Sequence, residues 1–301
     1  MLLSCIGIGS NAIRMLEATW TDGGLCVLKR ERRGTRLFAG LFNGRLQEES
    51  MHRSLMAVEE MAVMARADQT DGLYIFATSA VRDAENGHEF TSKCEALSGV
   101  PVEIISGEEE AVLSYIGAMR GGRSAVIDIG GGSTEFTLGH DERIFAAKSL
   151  QMGAVRMNSQ LPILSRENYQ ETVERCKRII ARDAKDMLVQ KEQFDWTGVG
   201  GTMTTLGAMK QRIPLFDPKH SEGMAMTYEE IHGFGMRLSG MTLEERRHVD
   251  GLMPHRADIM PSGIAILDAA MTKFHIETIR LSAQGNLDGY LKKKFSQTLD
   301  K

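Results

Sequence analysis

The stretch Ile127-Asp128-Ile129-Gly130-Gly131-Gly132-Ser133-Thr134 has a counterpart 121 residues earlier, Ile6-Gly7-Ile8-Gly9-Ser10-Asn11. In each, an apolar run of strand character ends in glycine and a hydroxyl residue, then passes into a second β-prone segment. That is the pattern of a β-hairpin whose tight turn offers backbone N–H groups to an anion. A single such turn is weak evidence, because ordinary tight turns share its composition. Its recurrence implies two similar lobes, each with a turn facing phosphate. A third glycine turn, Gly198-Val199-Gly200-Gly201-Thr202-Met203-Thr204-Thr205, leads from a short strand into a helix whose free N–H groups and dipole favour an anion. Close strand-to-helix packing would use similar residues, and their order is not that of a P-loop.

Outward from these turns, short β-rich runs alternate with helical periodicity, which predicts an α/β architecture. Strands are expected at Leu2–Ile8, Leu25–Arg32, Leu73–Ala77, Val102–Ile105, Ser124–Ile129, Thr134–Leu138, Thr197–Gly200 and Thr278–Ser282. Helices are expected at Glu48–Ala67, Glu108–Met119, Arg166–Leu188, Thr204–Lys210, Tyr228–Leu238 and Pro261–Phe274. Arg120-Gly121-Gly122-Arg123 separates a helix from a strand and reads as a hinge. The expected lobes are therefore residues 1–120 and 121–301, with room for a terminal helix to pack back on the first.

The length of 301 residues suits two lobes, and a chain of this size buries enough surface to need no covalent staples. Cys5, Cys26, Cys94 and Cys176 are widely spaced, which argues against a disulfide framework or a zinc site and fits a reducing cytoplasm. No run is long and apolar enough for a membrane span. A net charge of −4 gives no general footprint for DNA or RNA, so any polyanion must be met locally. Two basic runs qualify, Lys29, Arg30, Arg32, Arg33 and Arg36, and then Lys292, Lys293 and Lys294. A solvated edge strand and a helix tail explain them equally.

Several side chains stand out chemically. Ser106-Gly107-Glu108-Glu109 reads as a capping box, which puts Glu110 in the first turn of the following helix. Glutamates there often only complement the helix dipole. Arg82 follows a strand and a small-residue turn, where it could reach a cleft or pair with Asp83 or Glu85. Asp128 ends an apolar strand, where a buried carboxylate needs a metal or hydrogen bonds. Glu135 could join it or face solvent.

These residues also carry a resemblance. Ile8-Gly9-Ser10-Asn11 with Arg14, Ala77-Thr78-Ser79-Ala80-Val81-Arg82-Asp83-Ala84, and Ile105-Ser106-Gly107 with Glu109-Glu110-Ala111 resemble successive motifs of the exopolyphosphatase/guanosine pentaphosphate phosphohydrolase (Ppx/GppA) family. Asp128-Ile129-Gly130-Gly131-Gly132-Ser133-Thr134-Glu135, Gly200-Gly201-Thr202 with Thr204-Thr205-Leu206, and Arg256-Ala257-Asp258 continue the match over nearly the whole chain. The resemblance implies an actin-like fold of two ribonuclease H-like lobes around an interdomain cleft, in the short two-domain form. It implies Glu110 as the base for an attacking water, with Glu109 its capping neighbour, and Arg82 on substrate phosphate. Gly9, Ser10, Asn11, Gly130, Gly131, Gly132, Ser133, Gly200, Gly201 and Thr202 would bind further phosphates. Asp128 and Glu135 would hold Mg2+, and a homodimer is common in the family.

Three departures matter. Gly7 stands where the family usually has Asp, so metal binding is expected to be weakened or rearranged; if the chain only binds its ligand, restored activity in Gly7→Asp would identify the cause. Glu222 precedes Gly223 where the family has His. Asn286-Leu287-Asp288-Gly289 replaces a segment that normally contains arginine, and this departure is assigned to the second lobe. The expected function is release of terminal phosphate from polyphosphate or guanosine pentaphosphate. A regulatory protein that binds polyphosphate or guanosine tetra- or pentaphosphate with little turnover is the alternative. An ATP-dependent kinase of the same fold explains the Ser106–Glu110 segment less well.

Overall fold

The computed structural model describes residues 1–189, 193–214, 217 and 221–299. The chain forms two compact units, Met1–Gly117 joined by the chain from Asn286 onward, and Ala118–Gly285. In the first, β1 (Leu2–Ile8), β2 (Ala12–Thr21) and β3 (Gly24–Gly34) form an antiparallel meander. A small hairpin, β4 (Leu41–Phe42) and β5 (Arg45–Leu46), precedes α1 (Glu48–Ala67). Next come β6 (Gly72–Ala77), α2 (Ser79–Arg82), α3 (Gly87–Ser98), β7 (Val102–Ile104) and α4 (Gly107–Ala118). The sheet order is β3-β2-β1-β6-β7, with β6 and β7 parallel to β1.

The second unit repeats the plan. An antiparallel meander of β8 (Arg123–Ile129), β9 (Thr134–His140) and β10 (Arg143–Leu150) is followed by α5 (Ala154–Gln160), α6 (Arg166–Asp183) and α7 (Lys185–Leu188). Then β11 (Asp195–Val199), α8 (Gly201–Gln211), β12 (Ala225–Thr227), α9 (Tyr228–Ser239), α10 (Leu243–Arg247), α11 (Met260–Phe274) and β13 (Thr278–Leu281) complete it. Its order, β10-β9-β8-β11-β13-β12, is that of the first sheet with one antiparallel strand added at the edge. Each unit is thus an α/β ribonuclease H-like lobe. The last helix, α12 (Asn286–Leu299), packs on the first unit's sheet, where Leu287, Tyr290, Leu291 and Phe295 join a core with Leu3, Cys5, Leu16 and Phe76. Asn286–Gly289 therefore belongs to the first unit, not the second.

Physical causes of this plan are local. β1 and β8 are central and buried on both faces, so each reads as a continuous apolar run rather than an alternating one. β3 is an edge strand, and its basic run is that of a charged edge: Lys29 pairs with Asp68, Arg30 with Asp288, and Arg33 with Glu31 and Glu60. The meander arm β10 and the helix α3 were not expected from the sequence, and β2 was read only as a β-prone segment. Arg14 and Glu17 interrupt the apolar pattern of β2, and α3 has the poor helix formers Gly87, Thr91 and Ser92. The expected single helix Arg166–Leu188 breaks at Ala184, whose φ of −120° leaves the helical range.

Candidate active site

The two hairpin turns share the same closing hydrogen bond, and each has carbonyls held by the segment that follows its meander. Gly9 N–H donates to the Ala12 carbonyl at 3.2 Å, and Gly130 N–H donates to the Ser133 carbonyl at 3.0 Å. In the first turn, Ser10 and Asn11 carbonyls accept from N–H groups of Phe38, Thr35 and Arg36, which follow β3. In the second, Gly130 and Gly131 carbonyls accept from Ala154, Val155 and Arg156, which follow β10. The Arg156 guanidinium adds a bond from Nε to the Gly132 carbonyl at 2.6 Å. Gly153 permits this approach, since a Cβ there would lie 2.3 Å from the Gly131 carbonyl oxygen. Because the C=O and N–H of a trans peptide point opposite ways, a turn whose carbonyls are taken from behind presents its N–H groups forward. Such turns suit phosphate oxygens.

The first turn is tied to α2. Thr78 N–H donates to the Ile8 carbonyl at 3.1 Å, and the Ser10 and Ser79 hydroxyls lie 3.4 Å apart. At the other end of α2, Arg82 donates from Nη1 to the Ile105 carbonyl at 2.9 Å and reaches Glu110 Oε2 at 3.4 Å. Asp83 lies 3.9 Å from its Nε, so of the two surface pairings considered for Arg82 the one with Asp83 is present, while Glu85 lies 3.7 Å from Arg45 Nη1. Glu110 is only 7% exposed. Its neighbour Glu109 makes the capping box: Ser106 N–H donates to Glu109 Oε2 at 2.8 Å, and Glu109 N–H donates to Ser106 Oγ at 3.1 Å. The bond from the Ser106 backbone holds the Glu109 carboxyl below the usual glutamate range. Capping is thus Glu109's work, which frees Glu110 for another role.

Asn286, at the start of α12, contacts the other Glu110 oxygen, Nδ2 to Oε1 at 3.5 Å, and its Oδ1 accepts from Arg14 Nη2 at 3.0 Å. Arg14 and Asn286 are residues whose place here the sequence did not reveal. Polar groups near these turns that are buried without a hydrogen-bond partner among the described residues include both amide atoms of Asn11, Oγ1 of Thr35, Nη2 of Arg82 and, in the second unit, Oγ1 of Thr202. A buried unpaired polar group costs about 1–3 kcal/mol. Its presence calls for an explanation, and a bound ligand is one.

In the second unit Asp128 and Glu135 face each other directly across β8 and β9, 7% and 1% exposed. Glu135 does not face solvent, and its Oε1 accepts from the Ser149 hydroxyl at 2.7 Å. Among the described residues no group of three or more His, Cys, Asp or Glu is gathered for a metal. A pair of hard oxygen ligands fits magnesium, which keeps several waters and shares its coordination with phosphate.

Helix α8 starts at the third glycine turn as expected. Gly200 has φ +92°, a conformation that favours glycine, and provides no side-chain cap. A Cβ on Gly200 would lie 2.8 Å from Asp128 Oδ1, so the turn abuts the carboxylate pair. The Arg256 guanidinium lies against Gly201, where a Cβ would be 2.4 Å from Nη1. The sequence marked Arg256 only as part of a motif; its contact with the turn comes from a loop distant in the chain. Helix α8 begins three residues before the predicted Thr204 because Gly201 and Thr202 are poor helix formers that weaken the pattern.

The departures have structural accounts. Glu222 Oε2 accepts from the Ala283 N–H at 2.8 Å, a loop-bracing role. Gly7 is covered by Leu287: a Cβ there would lie 3.0 Å from Leu287 Cδ1 and 3.3 Å from Phe76 Cζ. An aspartate at this position would enter an apolar contact and would lie directly opposite Arg14 on β2. For Gly7→Asp to restore a carboxylate here, the Leu287 side chain must shift.

The family model described as the Ppx/GppA phosphatase family matches residues 18–297. A Haemophilus influenzae protein provisionally named an exopolyphosphatase is 30% identical over 312 aligned positions, covering 99% of this chain and 91% of that protein. The crystal structure of an exopolyphosphatase-like protein superposes with a TM-score of 0.89 at 28% identity, covering 99% of this chain and 100% of the other. An Aquifex aeolicus member of the Ppx/GppA family gives a TM-score of 0.84 at 26% identity, with coverage of 99% and 98%. Among the described residues no helix is long and apolar enough to cross a membrane.

Proposed function

We propose that this chain, which belongs to the Ppx/GppA phosphatase family, hydrolyses phosphoanhydride bonds and releases terminal phosphate from inorganic polyphosphate or guanosine pentaphosphate. The observation that carries the reading is Glu110, a buried carboxylate in contact with Arg82, whose Nη2 is left without a hydrogen-bond partner among the described residues. Such an arginine is a donor waiting for an anion, and such a carboxylate can take a proton from water.

In this mechanism Glu110 accepts a proton from water as the water oxygen bonds to the terminal phosphorus. The phosphorus–oxygen bond to the next phosphate breaks, and the products are orthophosphate and a chain shorter by one unit. Arg82 balances charge on the phosphoryl oxygens, and a planar fork suits two of them at once. Asn11 contributes an amide, and the N–H groups of both turns contribute fixed donors that need no reorganisation. Asp128 and Glu135 would hold magnesium, which when bound neutralises phosphate charge. The alternative of phosphate binding with little turnover draws on Gly7, which offers no carboxylate and is sealed by Leu287.

Phosphate release from polyphosphate and from guanosine pentaphosphate, measured over a magnesium titration, separates the two readings. Glu110→Gln is expected to lower release about 10³-fold with an unchanged circular dichroism spectrum. Turnover near the unmutated rate in that variant would overturn the base assignment. Calorimetric binding of either substrate with no release at any magnesium concentration would favour the binding protein.

A further inference from the structure

We infer that Asn286 is a positioning residue that orients the Glu110 carboxylate, an inference that rests on the reading of Glu110 as the base. Its amide carries an acceptor and a donor on separate atoms, so it can bridge these two neighbours. Arg14 can only donate and an ionised glutamate can only accept, so Oδ1 must face Arg14 and Nδ2 must face Glu110. The observed contacts, 3.0 Å to Arg14 Nη2 and 3.5 Å to Glu110 Oε1, have that sense. The Arg14 bond locks the amide, and the locked amide holds one Glu110 oxygen while Arg82 holds the other. The longer Glu110 contact is of a kind that tightens when substrate binds.

The surrounding packing fixes this geometry. Gly289 brings α12 against α4 so closely that a Cβ would lie 1.9 Å from the Leu113 carbonyl oxygen. One turn further on, Lys292 donates to the Ile116 and Gly117 carbonyls at 3.0 and 3.1 Å, at the C-terminal end of α4. Burial pulls the Lys292 ammonium below the usual lysine range, so the lysine is seated rather than loosely solvated. Helix α12 thus grips the C-terminal end of the helix that carries Glu110 and touches Glu110 at its N-terminal end. Asn286 lies in the segment read from the sequence as a departure from the family's arginine-containing motif. Among the described residues, the charged groups near Glu110 include Arg82 on α2 and, through Asn286, Arg14 on β2, with Asp83 beside Arg82.

Asn286→Asp keeps the shape, keeps an acceptor for Arg14 and turns the donor facing Glu110 into a carboxylate. Phosphate release from inorganic polyphosphate, followed against pH, is expected to show kcat lowered about tenfold with KM changed less than threefold. The acid limb should move up by about one pH unit, because a second carboxylate disfavours ionisation of the first. Asn286→Ala should lower kcat without moving the limb upward to that extent. In a Glu110→Gln background, Asn286→Asp should cost nothing further.

An Asn286→Asp enzyme with the unmutated pH profile and kcat would overturn the inference while Glu110→Gln stays inactive, leaving the base assignment intact. Retained turnover in Glu110→Gln would remove both. If Asn286→Asp does not fold, Asn286→Ala decides: an unmutated kcat overturns the inference, and a kcat loss that vanishes in the Glu110→Gln background supports it.

Discussion

The row of residues crossing the first unit's sheet beside its turn is Gly7, Arg14, Arg32, whereas the equivalent row in the second unit is Asp128, Glu135, Ser149. The turns have the same closing backbone hydrogen bond, yet one row carries two cations and the other two carboxylates. The helices differ in the same spirit. Helix α4 is closed by its Ser106–Glu109 box, while α8 opens at Gly200 with no side-chain cap. One fold, used twice, has kept its glycine turns and divided its charges. The first unit holds Glu110, Arg82 and Arg14, and the second holds the Asp128–Glu135 pair and an uncapped helix start.

The comparison breaks most visibly if the carboxylates of the second row prove dispensable. Asp128→Asn is expected to lower phosphate release about 100-fold at fixed magnesium and to weaken magnesium binding measured by calorimetry. Unchanged magnesium affinity would remove Asp128 from the cation site.

Making the first row resemble the second should fail. Gly7→Asp is expected to destabilise the protein by about 1–3 kcal/mol in urea unfolding, since Leu287 must give way and a carboxylate enters an apolar contact. Magnesium affinity should not rise, because Arg14 across the strand pair would take the new charge. Combining it with Leu287→Ala should relieve part of the steric cost. A tighter magnesium site in Gly7→Asp alone would show that Leu287 is no obstacle.

The smallest effect concerns the helix starts. Ser106→Ala should cost about 1 kcal/mol at neutral pH, as for other lost N-caps. The Glu109 pKa is lowered in the folded state, so its contribution is present above the ordinary glutamate value and is lost as pH falls through the lowered one. The gap between unmutated protein and variant should therefore shrink in acid. A gap independent of pH would separate the cap from Glu109.

Much of this was legible in the sequence because it is local. The turns at Gly9 and Gly130, the capping box at Ser106, and β1 and α1 with their bounds all follow from short-range patterns of glycine, hydroxyl and apolar residues. The strand β10 was not, since Phe145 is half exposed, Lys148 interrupts the run, and pairing with β9 is what defines it. Contacts across long sequence separations were equally hidden. The sequence shows Gly7 as a missing carboxylate but not Leu287 above it, and shows the Asn286–Gly289 segment as lacking an arginine but not Arg14 and Glu110 on either side of Asn286. Both answers lie about 280 residues from the first turn, where no periodicity reaches.

Division of labour between the proposed base and the carboxylate pair is tested most directly by phosphate release from polyphosphate over a magnesium titration, with Glu110→Gln and Asp128→Asn run side by side. The account predicts that Glu110→Gln stays inactive at every magnesium concentration, while Asp128→Asn recovers part of its activity as magnesium rises. Recovery of Glu110→Gln with magnesium, or identical responses from the two variants, would contradict it.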